Sequence, residues 1–254
     1  MKVFALYNLK GGVGKTTSCV NLAYLAAKEG HRVLIWDLDP QCATSFFLED
    51  GLQHTHEVRN LVAAKNRDAT HLIRSTKYRN LDLIPGSLHN RHLDRALDEL
   101  KKSKTHFQKL LKSLRSSYDY LFFDCPPALT LLSENIFRSA HFVLLPMIPS
   151  VLSERTYRQV HRFFEQENYD RRKIVPFFTL VDGRKKIHKS TIDLFRSEKR
   201  KLLRATIPYS AVVEKMGIEQ APLPQFSPRS NACYSYRNLW QELKWFRKLK
   251  PLAS

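Results

Sequence analysis

Paired cysteines are missing from this chain. Cys19, Cys42, Cys125 and Cys233 stand far apart and form no C-x-x-C pair. That spacing argues against a disulfide framework, a zinc site and a cysteine-held iron–sulfur cluster. His54 with His56, and His89 with His92, have no Cys or acidic cluster beside them, so they read as solvated polar positions. No apolar run approaches the ~20 residues that span a bilayer. Met1–Tyr7 is apolar but runs directly into glycines instead of a cleavage site, so no signal peptide is expected and the cytoplasm is the expected compartment. There is no internal repeat, low-complexity tract or convincing linker, and the 254 residues are expected to form one domain.

Acidic residues are also short. There are 24 Asp and Glu against 42 Lys and Arg, a net charge of +18. The deficit is uneven: residues 171–254 hold 19 Lys/Arg against 6 Asp/Glu, leaving 23 against 18 for residues 1–170. A basic C-terminal third points to a polyanion, either nucleic acid or an anionic membrane surface.

What is present is a series of short apolar runs separated by helical spacings. Val3–Tyr7, Val33–Trp36, Leu81–Ile84, Tyr120–Phe123, Phe142–Leu145 and Ile174–Leu180 read as buried strands. Thr16–Lys28, Leu88–Ser116 and Ser153–Gln166 read as helical, with Gly30 where a C-terminal glycine belongs. The Pro-rich stretch 221–228 reads as a loop before a last helix. Continuous apolar strands alternating with helices define an α/β fold, a mostly parallel twisted β-sheet with helices on both faces. Ligands in such sheets sit at the carboxyl ends of strands. A glycine loop, Asp37, Asp39 and Asp124 all fall at such ends, and Asp182 follows the last one.

The glycine loop is the most specific feature. Lys10-Gly11-Gly12-Val13-Gly14-Lys15-Thr16-Thr17 follows a strand and opens a helix. Glycines let backbone N–H groups turn inward around a phosphate, and the helix N-terminus adds partial positive charge. Lys15 is placed to reach the β- and γ-phosphates and Thr16 to offer its hydroxyl to Mg²⁺. The loop departs from the general pattern of Gly, four residues, then Gly-Lys-[Ser/Thr] by carrying a second lysine, Lys10, five residues before Lys15.

On these residues the chain resembles the ParA/MinD group of deviant Walker A P-loop ATPases, and most nearly the ParA partition proteins. Asp37-Leu38-Asp39-Pro40-Gln41 is similar to the second acidic motif, and Tyr118–Pro127 to the Walker B strand with its Pro-Pro turn. Ile207–Ser210, Ser227–Ser230 and Tyr236–Leu243 resemble later ParA segments. Leu9 stands where many ParA sequences have Gln, and Cys125 where many have Thr. The resemblance implies ATP and Mg²⁺ as cofactors. It implies that Lys10 reaches the phosphates of a partner subunit in an ATP-bound homodimer, and that Lys15 holds those of its own. Gly11, Gly12, Val13 and Gly14 line the phosphates, and Thr17 touches the α-phosphate. Thr16, Asp37 and Asp124 support the metal and its waters, and Asp39 orients the attacking water. Loops at Asp182 and Pro208 are the implied neighbours of adenine.

ParA-like proteins bind nucleoid DNA without sequence preference and are released when a ParB-like adaptor stimulates hydrolysis, which is otherwise slow. The basic belt Arg184, Lys185, Lys186, Lys189, Arg196, Lys199, Arg200, Lys201 and Arg204 suits that role. The glycine loop begins only ten residues in, so no N-terminal helix-turn-helix domain is expected and backbone-only contact is favoured. The cargo is left open between a plasmid, a chromosome region and a protein assembly. The alternative is a MinD-like membrane ATPase. Leu239, Leu243 and Phe246 share a face flanked by Trp240, with Lys244, Arg247, Lys248 and Lys250 near them. The start of that helix resembles the final core helix of ParA, so membrane attachment is not the expected reading.

Overall fold

Successive side chains of a strand point to opposite faces, so a strand that is apolar at every position must be covered on both sides. The computed structural model, which describes residues 1–48, 68–100, 103–198 and 202–248, shows that arrangement. The strands are β1 (Lys2–Leu6), β2 (Val33–Asp37), β3 (Arg74–Ser75), β4 (Leu81–Ile84), β5 (Tyr120–Asp124), β6 (Phe142–Met147) and β7 (Ile174–Phe178). They form one sheet in the order β3-β4-β2-β5-β1-β6-β7. Every ladder is parallel except β3 against β4. The exposed Arg74 and Ser75 of β3 form an antiparallel edge that no apolar run announces.

The helices are α1 (Lys15–Lys28), α2 (Ala43–Leu48), α3 (Leu93–Asp98), α4 (His106–Leu110), α5 (Leu131–Ser139), α6 (Val151–Gln166), α7 (Lys186–Ser197), the one-turn α8 (Ala211–Glu214), α9 (Met216–Glu219) and α10 (Leu223–Phe226), and α11 (Asn231–Lys248). Two cores result. On one face Val3, Ala5, Trp36 and Phe123 pack with residues of α3 to α7, and the Trp36 and Phe107 rings stack at 5.2 Å. On the other, Phe4, Leu6, Ile35 and Phe122 pack with α1 and α11. Leu239, Trp240 and Leu243 of α11 are buried there, and the Trp240 and Tyr120 rings meet edge to face at 5.3 Å. The apolar face of α11, as far as Leu243, is therefore core. Phe246, Arg247, Lys248 and Lys250 contribute no described side chain.

Three expectations need correction. The stretch 88–116 is not one helix. It is a 3₁₀ turn at Leu88–His92, then α3, a second 3₁₀ turn at Ser103–Thr105, and α4. The buried Asn90 side chain donates to the Asp37 carbonyl at 3.3 Å, so a tertiary bond shapes that turn instead of helical periodicity. β7 stops at Phe178 rather than Leu180, which takes a φ of +52°. The Pro-rich loop contains α10.

Candidate functional site

Chain order and strand order together bring the strand ends to one place. β5 sits between β1 and β2, so Leu6 and Asp37 are both in register with Asp124. The glycine loop leaves β1 at that edge and enters α1 at Gly14, whose φ of +82° admits a side chain only with strain. Both limbs of the loop are tethered to neighbouring strands. Asn8, which is buried, donates from Nδ2 to the Pro146 carbonyl at 2.7 Å and accepts the Lys10 N–H at Oδ1 at 2.8 Å. Thr179 donates from Oγ1 to the Val13 carbonyl at 2.8 Å, and its own N–H donates to Met147. Neither Asn8 nor Thr179 was singled out in the sequence. Their signal is a small polar residue just past an apolar run.

The two loop lysines differ. Lys15 is buried and donates from Nζ to the Lys10 carbonyl at 3.2 Å. Burial pulls its ammonium below the ordinary lysine value, while Asp124 and Asp39 draw it back up. The Lys10 side chain is exposed.

The acidic groups form a graded set. Asp37 and Asp124 are fully buried and Asp39 is half-buried. Asp37 accepts the Ser45 N–H at 2.9 Å and the Ser45 hydroxyl at 2.8 Å. The Gly86 N–H donates back to that hydroxyl at 2.7 Å. A Cβ at Gly86 would lie 2.9 Å from the Asp37 carboxylate and 3.1 Å from Cys42 Sγ, so glycine is required at this crossing. Asp124 Oδ2 accepts the Thr44 hydroxyl at 2.8 Å. Asp124 Oδ1 is buried with no hydrogen-bond partner among the described residues. Burial pushes both carboxyls above the ordinary carboxylate range. The charge of Asp124 adds to the rise at Asp37, while the Thr16 and Thr44 side chains and Lys15 oppose the rise at Asp124. Asp39 accepts the Gln41 N–H at 2.9 Å.

Between these groups lies a cavity of about 580 Å³. Gly11, Gly12, Gly14, Lys15, Thr16 and Thr17 line one wall, and Asp39, Pro40, Gln41, Ala43, Phe47 and the Pro126-Pro127 turn line the rest. Val13 is buried beneath, held through its carbonyl by Thr179. Asp182 and Pro208 do not line this cavity. Pro208 is bridged to Val181, which puts the two loops side by side beyond β7. The Asp182 carboxylate is clamped by Arg184 Nε and Nη2, both at 2.9 Å, which holds it well below the usual carboxylate range.

The basic belt is only partly gathered. Arg184, Lys185, Lys186, Lys189 and Arg196 are exposed along α7 and its lead-in, and the exposed Arg204 meets Arg196 through its carbonyl at 3.4 Å. Arg184 spends its charge on Asp182. Lys199, Arg200 and Lys201 lie outside the described residues.

A glycine loop opening a helix, a buried lysine and paired aspartates at adjacent strand ends define the phosphate site of a P-loop nucleotide-binding fold. The family model described as an AAA domain matches residues 1–174. Soj, the sporulation initiation inhibitor protein of Bacillus subtilis, is 27% identical over 95% of this chain and 98% of its own. A putative plasmid partition protein from Borrelia burgdorferi B31, solved with AMPPNP, superposes with a TM-score of 0.80 at 24% identity, covering 98% of this chain and 99% of that one. Cobyrinic acid a,c-diamide synthase from Mycobacterium smegmatis, solved with ADP and magnesium, also reaches 0.80, at 22% identity over 100% and 98% of the two chains. The chain belongs to the ParA/MinD family of P-loop ATPases.

Proposed function

We propose that this chain is a ParA-type positioning ATPase. It binds ATP with Mg²⁺, dimerises on ATP, attaches to DNA without sequence preference, and moves a cargo as an adaptor stimulates hydrolysis. The observation that carries this reading is the division of labour between the two lysines. Lys15 is buried in its own loop. Lys10 gives its backbone N–H and carbonyl to the loop and leaves its charge exposed, where it is free to reach a second subunit.

The residues fit a magnesium nucleotide. Among the described residues no three His, Cys, Asp or Glu side chains form a metal-holding cluster, so a cation here would share its shell with phosphate oxygens and water. The unpartnered Asp124 Oδ1, its raised affinity for a proton, and the nearby Thr16 hydroxyl suit such a shared cation. When bound, Mg²⁺ neutralises charge on the transferred phosphoryl group. The loop N–H groups and Lys15 hold the phosphates, and Thr17 stands at the helix start for the α-phosphate. Asp37, fixed by Ser45, braces the metal's waters. Asp39, on the cavity wall, orients the attacking water. Asp182 is engaged by Arg184, so adenine recognition near it would fall to the backbone and to Pro208.

The exposed cations of α7 and Arg204 support attachment to the DNA backbone, each phosphate contact releasing counterions. Against the membrane alternative, Leu239, Trp240 and Leu243 are buried in the core, which leaves that part of α11 unavailable to a membrane surface. The test is binding to random-sequence duplex DNA with ATP or ADP at two salt concentrations. ATP-dependent binding that weakens steeply between about 50 and 200 mM salt supports the reading. ATP-independent or absent binding, with liposome association instead, favours the membrane alternative.

A further inference from the structure

Two neighbouring strands end in like charges. β2 and β5 pair in register at Asp37 and Asp124, and adjacent strands run about 4.8 Å apart. Both side chains are fully buried, so protein donors, not bulk water, must orient the carboxylates against their mutual repulsion. One short helix supplies those donors. α2 gives Thr44 to one aspartate and Ser45 to the other. Consecutive Cα atoms are about 3.8 Å apart, close to the strand spacing, so two successive residues of a helix can serve two adjacent strands. Thr44 and Ser45 are themselves buried, and Leu48 anchors the far end of α2 in the core.

The two carboxylates are held differently. Asp37 takes both Ser45 bonds at Oδ2, at 2.9 and 2.8 Å, and the Asp39 N–H at Oδ1, at 3.3 Å. Asp124 takes the Thr44 hydroxyl at Oδ2, at 2.8 Å, while its Oδ1 has no hydrogen-bond partner among the described residues. Thr44 thus decides which oxygen of Asp124 is left open. A β-branched side chain on a helix has few rotamers, so a buried threonine aims its hydroxyl more firmly than a longer side chain would.

We propose that Thr44 is a positioning residue that makes the nucleotide site selective for Mg²⁺ over larger divalent cations such as Ca²⁺. The inference rests on the magnesium-nucleotide reading above. Mg²⁺ requires nearly octahedral oxygens at short, fixed distances, whereas Ca²⁺ accepts more oxygens in looser geometry. A carboxylate held by one oxygen offers the other at a fixed place, which suits the smaller ion. Released, it can swing or present both oxygens to one cation, which suits the larger. Ser45 restrains Asp37 in the same way. α2 also carries Ala43 and Phe47 on the cavity wall, so the helix that orients the acids is the one that faces the nucleotide.

The test is calorimetric titration of the full chain with ADP in Mg²⁺, in Ca²⁺ and in EDTA. Thr44→Val keeps the shape of the side chain and removes the hydroxyl. Its Mg²⁺-supported affinity should fall about tenfold or more, the usual loss when the partner of a metal ligand is removed. Affinity with Ca²⁺ should stay within about twofold of the parent, because the looser shell tolerates the freed carboxylate. Affinity in EDTA should not change. Thr44→Ser returns the hydroxyl and should restore the parent preference. Ser45→Ala keeps the N–H bond to Asp37 and should show a smaller loss in the same direction, which carries the test if Thr44→Val does not fold. A parallel fall with both cations, a fall in EDTA, or a Thr44→Ser protein that behaves as Thr44→Val would overturn the proposal. Parent binding that ignores Mg²⁺ would overturn the magnesium reading along with it. A parent preference for Mg²⁺ that survives in Thr44→Val refutes the role of Thr44 alone.

Discussion

Gly86→Ala inserts one methyl group against the buried carboxylate that braces the proposed metal shell. The new Cβ would stand 2.9 Å from Asp37 Cγ and Oδ2 on one side and 3.1 Å from Cys42 Sγ on the other. Ordinary contacts need about 3.5 Å or more, so the carboxylate, the thiol or the strand end must shift by roughly half an ångström. The carboxylate is the least free to move without loss, because Ser45 N and Oγ hold it at 2.9 and 2.8 Å and the Gly86 N–H holds that hydroxyl. Overpacking of this kind costs about 1–3 kcal/mol. At about 2–4 °C per kcal/mol for chains near this size, a cost of about 2 kcal/mol lowers the melting temperature by about 4–8 °C. Calorimetry reads that term. Nucleotide titration with Mg²⁺ and with EDTA reads the site: affinity falls about tenfold with Mg²⁺, about 1.4 kcal/mol, and stays put in EDTA, since the loop is untouched. A melting temperature within a degree of the parent, with the same magnesium dependence, would show that Asp37 has slack and does not brace the site.

Lys15→Ala removes the buried cation of the loop, and calorimetric titration should show nucleotide affinity falling by about 100-fold, the worth of a charge-assisted hydrogen bond of ~3 kcal/mol. Asp39→Ala should bind ATP normally yet hydrolyse it about 100-fold more slowly in a phosphate-release assay with adaptor present; normal turnover would remove Asp39 from the water-orienting role. His141 gives a pH-dependent stability. Its Nδ1 accepts the Val3 N–H at 3.0 Å, and burial, with Lys2, Lys173, the N-terminal amine and Arg115 around it, pushes it down to about 4. A histidine depressed on folding contributes stability that is whole above about pH 6.5 and lost as pH falls toward 4, at most about 3 kcal/mol. Urea unfolding of His141→Asn should show a shallower acid limb over that window than the parent.

The parts of the fold legible in the sequence are those where burial is two-sided. Val33–Trp36 and Tyr120–Phe123 are apolar at every position because both faces are covered. α7 escaped notice as a helix because its buried face uses His188 and Thr191 beside Ile192 and Phe195, which blurs the apolar period. α5 is short, nine residues opened by a Thr130–Ser133 capping box. At the site, the loop lysines and aspartates declared themselves by motif. Asn8, Thr44, Ser45, Gly86 and Thr179 did not, because their roles are set by long-range contacts. Thr44 meets Asp124 across 80 residues and Thr179 meets Val13 across 166.

If the phosphate loop is half of a two-chain switch, then mass in solution must follow the nucleotide. Sedimentation velocity with ATP and Mg²⁺, on Asp39→Ala to prevent turnover, should give twice the 29.7 kDa of one chain, and with ADP a single chain. Adding Lys10→Ala should leave ATP bound but return the monomer. A monomer with ATP in the Asp39→Ala protein, or a dimer indifferent to Lys10, would contradict the assignment of that lysine to a partner's phosphates.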